Sequence, residues 1–225
     1  MRGPRAKRRL GQHFLTDPTI LARIAAATGA GPDDTVLEIG PGPGGLTAAL
    51  AARGARIVAI EKDPDVLAAL RGRAPHAVIL EADALDVDWH AASGAPDPSR
   101  WVIAGNIPYN ITSPLIDRAL TPPRPARVVF LVQKEVALRV GAAPGTENYG
   151  ALTVGVQAVA RAERLFTVPA GAFSPPPRVD SAVLRLVPLE APLISDPERP
   201  AFRAAVVGLF GFLMSRIEKP SQLPW

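Results

Sequence analysis

Val-Leu-Glu-Ile-Gly-Pro-Gly-Pro-Gly-Gly, residues 36–45, decides the fold. The stretch opens as a short apolar run and turns on glycine and proline. It then leads into Leu46, Ala49 and Leu50, which recur at helical spacing until Gly54 can close the helix. Glycine in such a turn leaves backbone N–H groups open to a ligand, because no Cβ stands in the way. Further out, Ile57–Ile60, Ala77–Leu80, Trp101–Ala104 and Val128–Val132 are short and apolar on both faces, as buried parallel strands are. Asp17-Pro18 and Asp63-Pro64 each supply an N-cap followed by proline at the first helical position. Ile20, Leu21 and Ile24 share one helix face, as do Val66, Leu67 and Leu70. Repeated strand–helix–strand units predict an α/β fold with an open sheet covered on both sides.

Ser181–Val187 alternates and predicts one more strand. Phe202, Val206, Leu209, Phe210 and Leu213 predict a helix with an apolar stripe, and Pro188–Pro200 reads as a linker before it. The expected organisation is one domain over residues 1–188, then a linker and helical appendage over residues 189–225.

Composition narrows the classes. Of 225 residues, 48% are hydrophobic and 20% charged, which suits a folded chain with a large core. There is no cysteine, so disulfides and thiolate metal sites are excluded. His13, His76 and His90 lack metal-ligand spacing, so no metal is expected. No apolar run is long enough for a membrane span, and the first ten residues lack the apolar core of a secretory signal. A monomeric cytoplasmic protein is the reading. The net charge of +4 is uneven: Arg2, Arg5, Lys7, Arg8 and Arg9 open the chain with no acid among them. Such a basic arm over residues 1–9 suits phosphate contacts, or is simply a solvated terminus.

Glu61 ends the strand after the glycine turn, where a carboxylate can accept from both hydroxyls of a ribose. Gly40, Gly42 and Gly45 also satisfy the dinucleotide pattern G-x-G-x-x-G, so a dehydrogenase is a rival at this point. Asp83, just past the third strand, can accept from an adenine amino group, which turns the balance toward S-adenosylmethionine. Asn106-Ile-Pro-Tyr109 at the end of the fourth strand decides it. An adenine N6 is a poor nucleophile, because its lone pair is delocalised into the ring. Two acceptors on its hydrogens can localise that lone pair and aim it at a methyl donor. The Asn106 side-chain oxygen and the Ile107 carbonyl can be those acceptors, and Pro108 stiffens the turn that presents them. Tyr109 offers a ring face for an extruded base.

These segments, together with Leu-Gly-Gln-His-Phe-Leu-Thr-Asp (10–17), Val-Gln-Lys-Glu-Val-Ala (132–137) and Phe-Ser-Pro-Pro-Pro-Arg-Val-Asp-Ser-Ala (173–182), resemble the small-subunit ribosomal RNA adenine N6,N6-dimethyltransferases. The resemblance spans residues 10 to about 188. It implies a Rossmann-like seven-stranded methyltransferase sheet with one antiparallel strand, S-adenosylmethionine as cofactor and the small ribosomal subunit as partner. It further implies that His13 and Leu15 help close the cofactor pocket. Gly40 would meet the methionine portion, Glu61 the ribose and Asp83 the adenine of the cofactor, with Asn106 touching cofactor and target base. Phe173, which read alone is more often a core residue, would by its place in Phe-Ser-Pro-Pro-Pro stack on the target adenine opposite Tyr109. Family members continue from Phe-Gly-Phe into a basic helix and a small helical domain, so Leu213-Met-Ser-Arg-Ile-Glu-Lys-Pro reads as the start of a shortened appendage. Large-subunit adenine methylases of the antibiotic-resistance kind share the Asn-Ile-Pro-Tyr type of site, and a ribosome-assembly factor with weak catalysis is a further reading.

Overall fold

The computed structural model describes residues 6, 7 and 11–217. Five strands read from the sequence form the parallel part of a sheet: β2 (Thr35–Ile39), β3 (Arg56–Glu61), β4 (Val78–Glu81), β5 (Trp101–Asn106) and β6 (Arg127–Gln133). With β7 (Ala160–Val168) and β9 (Ser181–Pro188) they make seven strands in the order β4-β3-β2-β5-β6-β9-β7, with β9 antiparallel to both neighbours. A separate two-residue ladder joins β1 (Phe14–Leu15) to β8 (Phe173–Ser174), antiparallel.

Alternate residues of the central strands feed opposite faces, and both faces are buried. Leu37, Ile39, Val58, Ile60, Ile103 and Phe130 belong to one core. Val36, Ile57, Val102, Val129 and Leu131 belong to the other. This is why these strands read as unbroken apolar runs. Helices begin where the caps predicted. Asp17 accepts from the N–H of Thr19 and Ile20 at the start of α1 (Pro18–Ala27), and Asp63 accepts from Asp65 at the start of α3 (Pro64–Arg73). Between them, α2 (Gly45–Ala51) follows the glycine turn directly. The other helices are α4 (Trp89–Ser93), α5 (Thr112–Ala119), α6 (Lys134–Val140), α7 (Ala151–Gln157) and α8 (Arg199–Ile217).

Two features depart from the expected organisation. β7 has only its ends buried, and Arg161, Glu163 and Arg164 break any apolar pattern, as suits a sheet edge. Residues 188–200 do not hang free. The N–H groups of Leu189 and Leu193 donate to Val159 O and Ala158 O at 3.0 and 2.8 Å, and Ile194 packs on the core. Along α8, Phe202, Val206 and Phe210 are half-buried, with the Phe210 ring 6.4 Å from Tyr149. Leu209 was expected in the same stripe but is 57% exposed, and Val207 and Phe212 are exposed beside it. The Leu213 side chain lies outside the described residues. Among the described residues no helix is long and apolar enough to cross a membrane.

The ends of β2 and β5 are pressed together. A Cβ added at Gly105 would stand 2.4 Å from the Ile39 carbonyl oxygen, a backbone atom that cannot rotate away. Gly105→Ala is therefore expected to cost at least about 2 kcal/mol of stability, as overpacking at a rigid site does. A urea unfolding midpoint unchanged from the parent would contradict this packing.

Candidate active site

The carboxyl ends of parallel strands are where α/β sheets hold ligands, because the turns there bring chain from several strands together. Here a cleft of about 260 Å³ opens at that edge. His13, Leu15, Gly40, Glu61, Asp83, Asn106 and Tyr109 all line it.

The glycine turn forms its floor. Gly40, Gly42 and Gly44 have φ of +66°, +54° and +87°, so the turn is left-handed at each. Gly42 needs glycine for a second reason: a Cβ there would meet the Phe14 ring at 3.0 Å. Glu61 locks the turn to the neighbouring strand. Its Oε2 accepts from Gly42 N–H at 2.9 Å and its Oε1 from Asp63 N–H at 2.7 Å. Burial raises the Glu61 pKa, and those two backbone donors pull the other way. Each carboxylate oxygen keeps a lone pair for a hydroxyl donor. Asp83 is pinned at the opposite lip. Lys62 Nζ reaches its Oδ2 at 2.5 Å and Leu85 N–H its Oδ1 at 2.9 Å, and these bonds lower its pKa.

Asn106 ends β5 beside this turn. Its Nδ2 donates to the His13 carbonyl at 2.8 Å, and no described residue donates to its Oδ1. The amide is thereby oriented as an acceptor toward the cleft. His13 is fixed in turn: its Nδ1 is 2.9 Å from Pro175 O, which can only accept, so Nδ1 carries the proton. The imidazole stacks on Tyr109 with centroids 5.7 Å apart and planes at 22°. The Tyr109 hydroxyl meets Ser181 Oγ at 2.6 Å.

Phe173 is a correction. It is 4% exposed, sits in the core with Leu15 and Ile24, and does not line the cleft. The β1–β8 ladder causes this. Phe173 pairs with Leu15, and the alternation of the strand turns its ring inward while Ser174 faces out. Lys7 is a second correction. It was grouped with the phosphate-contacting arm, but it pairs with Asp63 and Asp65 at 2.5 Å each. Gln12 Nε2 donates to the other Asp63 oxygen at 2.8 Å. The Asp63 side chain is fully buried, and a buried carboxylate needs such donors. Its burial raises the pKa, but Lys7 and Gln12 outweigh that and leave it lowered. Arg2, Arg5, Arg8 and Arg9 lie outside the described residues.

Sequence reasoning passed over Glu38. It stands within Val-Leu-Glu-Ile on β2, is 1% exposed and lines the cleft, and its Oε2 has no hydrogen-bond partner among the described residues. Burial pushes its pKa up to about 8; the Thr47 hydroxyl opposes that and the Glu61 carboxylate adds to it. A lone acid inside an otherwise apolar parallel strand was the available signal.

Residues 3–211 match the family model described as ribosomal RNA adenine dimethylase. The chain belongs to that family. It is 46% identical over 211 residues to a ribosomal RNA small subunit methyltransferase A of Phenylobacterium zucineum, covering 92% of this chain and 72% of the relative. A protein of the same name from Geobacter metallireducens is 42% identical over 216 residues, covering 92% and 77%. Among solved structures, a dimethyladenosine transferase from Plasmodium falciparum matches with TM-score 0.75 at 30% identity, over 86% of this chain and 70% of that one. The 23S rRNA methyltransferase ErmE matches with TM-score 0.70 at 32% identity, over 86% and 77%. The fold is therefore that of the RNA adenine methyltransferases, with the single antiparallel strand as expected.

Glu38 gives the site a measurable pH dependence. Its folded pKa of about 8 lies above the ordinary 4.5, so the folded state holds the proton more tightly. That contribution is complete below pH 4.5 and is lost as pH rises through 8. Glu38→Gln cannot ionise. The variant is expected to gain stability relative to the parent between pH 5 and 8.5, by roughly 1–4 kcal/mol. Urea unfolding of both proteins at the two pH values checks this, and a constant difference would contradict it.

Proposed function

We propose that this chain transfers methyl groups from S-adenosylmethionine to N6 of adenines in small-subunit ribosomal RNA, dimethylating adjacent adenosines during ribosome biogenesis. The observation that carries the reading is the Asn106 amide, held by the His13 carbonyl, with no partner for its oxygen among the described residues, beside the glycine turn.

The cleft fits the cofactor on its own terms. It offers a left-handed glycine turn without Cβ atoms, a carboxylate fixed by two backbone donors, and a buried Glu38 whose Oε2 has no partner among the described residues and is open to a ligand. Its volume of about 260 Å³ lies just below the usual range of small-molecule sites. Gly40 would back the methionine portion, Glu61 would take the ribose hydroxyls and Asp83 the adenine, with His13 and Leu15 covering the opening. When bound, S-adenosylmethionine supplies an electrophilic methyl group. The chain's part is to hold the acceptor. Asn106 Oδ1 and the Ile107 carbonyl accept from the N6 hydrogens, two before the first transfer and one before the second, which localises the lone pair and aims it along the cleft; each transfer would leave S-adenosylhomocysteine and release one N6 proton. Tyr109 is braced by Ser181 and covered on one face by His13, so a flipped base stacks on the face turned away from His13. Phe173 would join that stack only if the β1–β8 ladder opened.

The small-subunit substrate rests on the names of the curated relatives, while ErmE keeps a large-subunit substrate as the second reading at the level of structure. A cytoplasmic monomer acting on the small subunit, with no metal in its chemistry, completes the proposal.

Asn106→Ala should leave the thermal midpoint near the parent's while turnover on unmethylated small subunits falls by on the order of a hundredfold or more. Near-parent turnover would refute the site. Glu61→Gln should weaken S-adenosylhomocysteine binding about tenfold or more, with RNA binding unaltered. An unchanged calorimetric affinity would remove Glu61 from the ribose.

A further inference from the structure

The segment 175–180 between β8 and β9 carries features that the cofactor site does not use. It is exposed at Pro175, Pro176, Arg178, Val179 and Asp180, yet braced from several sides. His13 Nδ1 bonds Pro175 O at 2.9 Å. The Asp180 carboxylate accepts from Ala170 N–H at 3.1 Å, and its carbonyl from Lys134 N–H at 3.0 Å. The next residue, Ser181, holds the Tyr109 hydroxyl. On this fixed frame stand Arg178, Val179 and, across the Asp180 bond, Lys134. Val179 is 48% exposed. Arg178 and Lys134 are exposed, and neither side chain has a hydrogen-bond or ion-pair partner among the described residues. Of the nearby acids, Glu135 pairs with Arg139, and Asp180 has one carboxylate oxygen held by the Ala170 N–H while keeping its charge.

The sheet places this group. Lys134 follows β6, whose last residues lie beside the end of β5, where Leu131 pairs with Asn106. Ser181 opens β9 opposite Gln133. The braced loop and Lys134 therefore sit at the carboxyl edge of the sheet, next to the Asn106–Tyr109 turn. A solvent loop has no need of four anchors, and two unpaired cations flanking an exposed valine suit a polyanion with apolar faces.

We propose that Arg178, Val179 and Lys134 form the docking surface for the RNA backbone flanking the target adenine. The two cations take phosphates and Val179 packs on an adjoining sugar or base. This rests on the RNA-methylating reading above. The loop being pre-braced means that little ordering cost is incurred when RNA arrives.

The test measures binding of the full chain to protein-free small-subunit rRNA and to intact unmethylated small subunits over a salt series. For Arg178→Ala with Lys134→Ala, the slope of log affinity against log salt should become shallower by about 0.7–0.9 per cation removed. Arg178→Lys should restore most of its share, and Val179→Ser should weaken binding equally at every salt concentration. S-adenosylhomocysteine affinity should not change in any of these variants, which shows that they fold. An unaltered slope would overturn the proposal. So would a loss seen with intact subunits but not with bare rRNA, since that would assign the surface to an acidic protein. If the parent binds rRNA with the expected slope change but transfers no methyl group, the functional reading fails and the docking surface stands. If the parent does not bind rRNA at all, both fail.

Discussion

A methyl group at position 105 would lie 2.4 Å from the Ile39 carbonyl oxygen, so β5 can run alongside the end of β2 only with glycine there. The site depends on that close approach. It sets the glycine turn that leaves β2 against the Asn-Ile-Pro-Tyr turn that leaves β5. A Cβ added at Gly40 would stand 3.8 Å from the Asn106 carbonyl oxygen, in ordinary contact. The glycine turn and the Asn-Ile-Pro-Tyr turn are thus neighbours by strand pairing, and their separation is fixed by two backbones. Reactions that gain mainly from alignment need such rigidity, because a misplacement of about 1 Å can cost on the order of a hundredfold in rate.

A second constraint comes from the start of the chain. Lys7 and Gln12 satisfy the buried Asp63, Phe14 packs on the glycine turn at Gly42, and the His13 carbonyl orients the Asn106 amide. These contacts join residues far apart in sequence, and residues 11–15 close one side of the cleft. Removing Lys7 is expected to cost more than breaking a surface pair, since it leaves the buried Asp63 carboxylate short of a donor. Loss of these contacts would disturb the Glu61 side and the Asn106 side of the cleft together.

Much of the fold was legible because buried parallel strands and capped helices leave strong local marks. Val36–Ile39 and Asp63-Pro64 say what they are without help from the rest of the chain. β7 did not, because an edge strand carrying Arg161, Glu163 and Arg164 has no apolar signature. Glu61, Asp83 and Asn106, read from their places at strand ends, do line one cleft, because parallel strands bring their carboxyl ends to the same edge. Phe173 was misplaced because only the pairing with Leu15 reveals which way its ring turns. Lys7 was misassigned because its partner lies 56 positions away. Glu38 was hidden by its setting, as an acid in a buried strand shows its meaning only when its environment is known.

The central claim is that these turns, brought together, methylate adenine N6 in small-subunit rRNA. The direct measurement is mass spectrometry of RNA nucleosides after incubation with methyl-labelled S-adenosylmethionine and unmethylated small subunits, with large subunits as a parallel substrate. The account predicts label in N6,N6-dimethyladenosine from the small subunit. Label confined to large-subunit RNA, or to a nucleoside other than N6-methylated adenosine, would contradict it.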